Sequence, residues 1–138
     1  MITVIFLRSG TTLLTGLLMI VAVSVAVSAS DFSVREYNEF HDVLHPLEHE
    51  ALPSKNFGRI RSNAAEFVKR GKAIVRLGVP KNTDPGHAQA FRAELKKFKG
   101  ALDRFKKDAR DGTDTQLENS FSAVHDSFEM LVGMLPRK

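Results

Sequence analysis

The chain has 138 residues, is 43% hydrophobic and 26% charged, carries a formal net charge of +4, and contains neither cysteine nor tryptophan. That length holds one domain, and the ordinary share of charge excludes a wholly disordered chain. The absence of cysteine excludes disulfides, thiolate nucleophiles, Cys-ligated zinc, iron–sulfur clusters and thioether-linked haem.

Residues 1–30 carry Arg8 as their only charge, then an apolar run from Thr11 to Val27, then the small residues Val27-Ser28-Ala29-Ser30. A basic start, a short apolar stretch and small residues at a cleavage point are the pattern of a secretory signal peptide. The sequence therefore predicts a signal peptide over 1–29, cleaved after Ala29, and one exported domain over 30–138, periplasmic or secreted. A spanning helix needs roughly 20 apolar residues. This run is shorter and holds several Ser and Thr, so no membrane insertion is expected once the signal is removed.

Four helices are predicted after it. In the first, from Ser33 to Leu52, Ser33 and Glu36 have capping-box spacing, and Tyr37, Phe40, Leu44, Leu47 and Ala51 recur at three and four. Pro46 falls inside it, where a proline removes a hydrogen bond and clashes with the preceding turn. A kink or a break is expected there, with the helix wheel unreliable beyond it. The second runs from Ser54 to Leu77 with Phe57, Ile60, Ala64, Phe67, Gly71 and Ile74 in the same rhythm. The third follows the breaker stretch 78–86, with Asp84 as its cap, Pro85 at its first position, and Phe91, Leu95, Phe98, Leu102 and Phe105 as its seam. Asp111-Gly112 ends it. Thr113 with Gln116, or Thr115 with Glu118, can cap the fourth, whose seam is Leu117, Phe121, Val124, Phe128, Leu131 and Leu135. Four apolar seams joined by short loops predict an all-α, antiparallel up-down four-helix bundle.

The histidines are unevenly placed. His41, His45 and His49 stand at i, i+4 and i+8, neighbours one helical turn apart, and two imidazoles at that spacing can chelate one metal ion. His125 is on the fourth helix, and His87 opens the third as a surface residue. With Tyr37, Phe40, Leu44 and Leu47 as core positions, His41 and Glu48 fall at flanking e positions, His45 at b and His49 at f. His125 also falls at e. Counted along their helices at about 1.5 Å per residue, His41 and His125 lie at nearly one level.

Other chemistry is poorly served. There is no Gly-x-Ser-x-Gly, no Gly-x-x-x-x-Gly-Lys phosphate loop and no nucleophile–base set, so no enzyme is expected. The basic side chains of the third helix are interleaved with phenylalanines at core spacing, which makes them a solvated face with no nucleic-acid partner.

Two resemblances attach to these residues. Phe121-Ser-Ala-Val124-His125-Asp-Ser-Phe128 resembles the C-terminal haem motif of the c-prime cytochromes, Cys-x-x-Cys-His-x-x-Phe, with Phe121 and Val124 in place of both attachment cysteines. It implies an exported four-helix fold from which covalent haem is excluded. His45-x-x-x-His49-Glu-Ala-Leu-Pro53 is similar to a stretch of the periplasmic sensor of nickel–cobalt resistance systems. That likeness implies metal ligation by His45, His49, Glu66 and His125. The sulfur ligand of that family falls at Glu129 here, with Met130 one place late.

The wheel favours His41 and His45, while the second resemblance selects His45, His49 and Glu66, although Glu66 faces solvent by pattern. The candidate ligands are therefore His41, His45, His49, Glu66 and His125, and the expected cofactor is a zinc, copper, nickel or cobalt ion. The expected function is metal sensing, buffering or carriage. The alternatives are a metal-free interaction module on the same fold, with a second copy or another protein as partner, and a bundle holding non-covalent haem.

Overall fold

The computed structural model describes residues 31–138; the expected signal peptide lies outside the described residues. Those residues form four helices and no strand. Helix α1 is Arg35–Pro46 and continues as a π-helical segment, Leu47–Ala51; α2 is Phe57–Leu77, α3 Ala88–Asp111 and α4 Asp114–Val132. No helix among them is long and apolar enough to cross a membrane.

Three helix starts differ from the sequence reading, each for a tertiary or local reason. Ser33 does not cap α1: its Oγ donates to the carbonyl of Pro136 at 2.6 Å, so a long-range bond takes the hydroxyl. Val34 holds the cap position without a side-chain bond. Asn38 organises this entry instead, accepting from the Phe32 N–H at 2.8 Å and donating to the Phe32 carbonyl at 3.1 Å. Asp84 likewise does not start α3. It accepts from the Gly86 N–H at 2.7 Å and so closes a tight turn, and the helix begins after that turn, at Ala88. Short Asp side chains favour such local bonds to backbone two residues on.

The start of α2 also falls later than Ser54, whose Oγ donates to the carbonyls of Glu50 and Ala51, and α4 ends at Val132, short of Leu135. Asn56 accepts from the Arg59 N–H at the start of α2, and Gly78 ends that helix at φ +70°, a left-handed conformation that glycine adopts without steric cost. Thr113 and Gln116 form a reciprocal capping box on α4. The end of α3 is closed from outside: the Arg61 guanidinium donates to the carbonyls of Asp108 (2.9 Å), Ala109 (3.0 Å) and Gly112 (2.9 Å) and to Asp114 Oδ1 (3.0 Å). The last carbonyls of a helix have no partner within it and carry partial negative charge, so a cation there satisfies both needs.

The core is aromatic. Tyr37, Phe40, Phe67, Phe91, Phe98, Phe105, Phe121 and Phe128 are each less than 2% exposed. Phe40 of α1 meets a ring from every other helix: Phe67 at 4.9 Å, Phe98 at 5.5 Å and Phe128 at 5.0 Å between centroids. Full burial of one such side chain contributes about 1.5–3 kcal/mol. Gly71 lets α2 approach α3 closely, since a Cβ there would lie 2.6 Å from a Leu102 methyl. Glu94 of α3, 7% exposed, accepts from Ser127 Oγ of α4 at 2.7 Å, a buried polar link between two apolar seams.

Candidate metal site

The site begins with Pro46. Having no N–H, it leaves the Asp42 carbonyl without its helical donor. The chain neither breaks nor resumes as an α-helix. Leu52 donates to Leu47 at 2.9 Å and Asn56 to Ala51 at 2.8 Å, five residues apart. The wider winding keeps Leu47 and Ala51 in the core, at 2% and 1% exposure. It also draws His49 toward His45. The rings of His41 and His45 lie 5.3 Å apart between centroids, those of His45 and His49 only 4.4 Å. The three imidazoles form a continuous column.

His41 is the half-buried end of that column. Its ring meets Phe32 edge-on at 5.6 Å and lies 6.4 Å from Phe128. Burial pushes its pKa below the ordinary histidine value and His45 pushes the same way, while Asp42, Glu129 and Glu48 oppose. His49, at the other end, is exposed.

Glu48 joins the column to α4. Its Oε1 lies 2.9 Å from His125 Nε2, and its Oε2 lies 3.6 Å from His49 Nε2. His125 Nε2 is also 4.0 Å from Glu129 Oε1, and its Nδ1 is 3.4 Å from Asp126 Oδ1. The His125 and Glu48 side chains are 26% and 27% exposed, so the pair sits at the rim of the core. His125 thus contacts Glu48, seven residues on from His41, while His41 lies beside Phe128, three residues from His125 on α4.

Glu66 is engaged elsewhere. It accepts from Arg70 Nε at 2.6 Å and Lys69 Nζ at 3.4 Å, and Arg70 reaches on to Glu39 of α1 at 2.7 Å. The hydrogen bond from Arg70 holds the Glu66 carboxyl below the usual range. His87 is exposed at the start of α3.

The carboxylate nearest His125, and the one that reaches it from outside α4, is Glu48, which the sequence reading placed on the wheel but did not select. The signal was its shared e position with His41, matching that of His125. Imidazole and carboxylate together suit first-row transition metals. Among the described residues no three His, Asp or Glu side chains already converge as a metal-holding group. The cluster is a set of adjoining pairs on one edge. The chain matches no protein-family model, no curated protein and no solved structure.

Proposed function

We propose that this is an exported, antiparallel up-down four-helix bundle that binds a transition metal ion along the α1/α4 edge, as a sensor, buffer or carrier of metal and not as an enzyme. Cross-contacts support the antiparallel order. Glu39 meets Arg70 while Glu50 meets Arg59, so α1 and α2 run opposite ways. Glu94 meets Ser127 while Phe105 meets Phe121, and the same holds for α3 and α4.

The metal reading rests on one observation: the 2.9 Å contact between His125 of α4 and Glu48 after α1, beside a column of three histidines. A divalent ion would take its place between the facing nitrogen and oxygen of that pair. The ion draws on His125, Glu48 and His49 or His45, with side-chain rotation bringing a third ligand in. Glu129 adds negative charge close by. Zinc, copper, nickel and cobalt all fit this donor set. Non-covalent haem has less support, because phenylalanines fill the interior it would occupy.

Calorimetric titration with zinc, copper and nickel at neutral pH tests the reading. Wild type and His87→Ala are expected to bind alike, while His125→Ala loses much of the affinity. Glu48→Gln weakens binding and Glu66→Gln does not; the reverse result restores the ligand set implied by the sensor resemblance. Binding weakens as pH falls below about 6.5, since ligation requires neutral imidazole. Equal affinity in wild type, His125→Ala and His87→Ala would leave the metal-free interaction module as the better reading.

A further inference from the structure

On the side of the molecule formed by α2 and α3, a trough of about 560 Å³ runs between the two helices. Its floor is small and apolar: Ala64, Ala65 and Val68 of α2 and Ala109 of α3. Its rims are basic on both sides, with Lys69, Lys72 and Arg76 on one and Lys106 and Arg110 on the other, and no acid lines it. Lys72, Arg76 and Lys106 are exposed. Whereas Lys69 and Arg110 pair with Glu66 and Asp111, none of these three is closed by an ion pair among the described residues. The trough continues past Lys72 and Arg76 toward Lys99 and Asp103. Asp103, the one acid there, is hydrogen-bonded to Lys99 at 2.7 Å. That bond holds its carboxyl below the usual range, and Lys72 and Lys106 add to the effect, which places both within one positive field.

Arg61 to Arg76 along α2 spans about 22 Å at 1.5 Å per residue, or four helical turns. An apolar stripe flanked on both sides by one sign of charge is the receiving half of a helix-in-groove contact. Alanines on the floor allow a close approach. A uniformly polar polyanion would leave that floor unfilled, and among the described residues no exposed aromatic ring offers a stacking platform for bases. A flat lipid surface would touch the rims and bridge the trough.

We propose that the α2/α3 trough seats an amphipathic helix of a partner protein, its apolar stripe on the alanine–valine floor and its Asp and Glu flanks against the Lys and Arg rims. This surface is separate from the histidine edge.

A labelled synthetic helix of about four turns, with Leu and Ala at i, i+3, i+4 and i+7 and Glu on both flanks, is titrated into the full folded protein by fluorescence anisotropy. Saturable 1:1 binding that weakens with added salt is expected. The double variant Lys72→Glu/Arg76→Glu should weaken it by about tenfold or more, as like-charge juxtaposition is costly. Ala65→Gln, on the floor, should weaken it with the charge kept. All three positions are exposed, and circular dichroism checks that the variants keep their helicity. A peptide of the same composition in scrambled order, without an apolar stripe, should bind poorly. Equal binding of the scrambled peptide, or no effect of the substitutions, overturns the proposal. So does binding to vesicles of phosphatidylglycerol with none to the peptide, which would make the surface a lipid contact.

Discussion

Helices α1 and α4 are acidic where α2 and α3 are basic. From Arg35 to Ala51, Glu36, Glu39, Asp42, Glu48 and Glu50 stand against Arg35 alone, and α4 has Asp114, Glu118, Asp126 and Glu129 with no Lys or Arg. On α2 the proportion reverses: Arg59, Arg61, Lys69, Arg70, Lys72 and Arg76 stand against Glu66. On α3, eight Lys and Arg outnumber four Asp and Glu. Every histidine but His87 lies on the acidic half. The halves meet through ion pairs of opposite origin, Arg70–Glu39 and Arg59–Glu50 at 2.7 Å and Arg61–Asp114 at 3.0 Å. Exposed pairs contribute little each, about 0–1 kcal/mol. The segregation therefore matters less for stability than for what each half attracts: cations on the histidine edge, anionic surfaces in the trough.

The largest effect is expected from parting the two halves. Phe98 of α3 packs on Phe40 of α1. Phe98→Ala should destabilise by about 3–5 kcal/mol in denaturant unfolding, a large share of a typical stability of about 5–15 kcal/mol. Wild-type-like melting would mean that the aromatic seam is not what joins them.

Arg61→Ala removes a cation that serves both halves, since it closes the end of α3 and reaches Asp114 of α4. Loss of these charge-assisted bonds should cost about 1.5–3 kcal/mol, read as a lower urea midpoint. Arg61→Lys should recover only part of it, because a point charge cannot span three carbonyls and a carboxylate.

Within the acidic half, Tyr37 is fully buried and stacked on Phe128, and its Oη has no hydrogen-bond partner among the described residues. Burial raises its pKa, so it stays a neutral phenol. Tyr37→Phe should stabilise by about 1 kcal/mol, the lower end of what an unpaired buried group costs. A destabilised variant would point to a partner for that hydroxyl.

The smallest effect separates half-buried His41 on the acidic half from exposed His87 on the basic one. With a lowered folded pKa, His41 binds fewer protons in the native state than in the unfolded one. Its contribution is present above about pH 6.5 and is lost as pH falls from there through the folded value. In metal-free protein kept with a chelator, wild type should lose more stability between pH 7.5 and 5.5 than His41→Asn, while His87→Asn should track wild type. Parallel curves for all three would remove His41 as the source.

The seams were readable because a helix repeats its apolar positions at a spacing that composition cannot hide. Phe40, Phe67, Phe98, Val124 and Phe128 are buried as their period requires. Local bonds were readable only where nothing distant competed: Thr113 with Gln116 kept its box, whereas Ser33 lost its own to Pro136. Arg61 left no mark in the pattern, since three of its four acceptors are backbone carbonyls at the end of α3. Glu48 is the instructive residue at the candidate site. The wheel put it beside the core, but a glutamate on a helix face is ordinary, whereas three imidazoles in register are not. The bond to His125 depends on winding beyond Pro46, which no fixed helical period describes.

An i→i+5 segment behaves like a dislocation in a row of atoms. It absorbs about one extra residue, and every later position is offset by a fixed step. Deleting one residue inside the segment, Glu50 for example, would anneal the row into plain α-helix with the later positions back in step. Ala51 would keep its place in the core, and the side chains inside the segment, Glu48 and His49, would be re-aimed. Point substitution and deletion should therefore part company here. The segment can exchange a histidine and keep its shape, whereas shortened by one it would keep its packed face and lose the winding that aims its polar one.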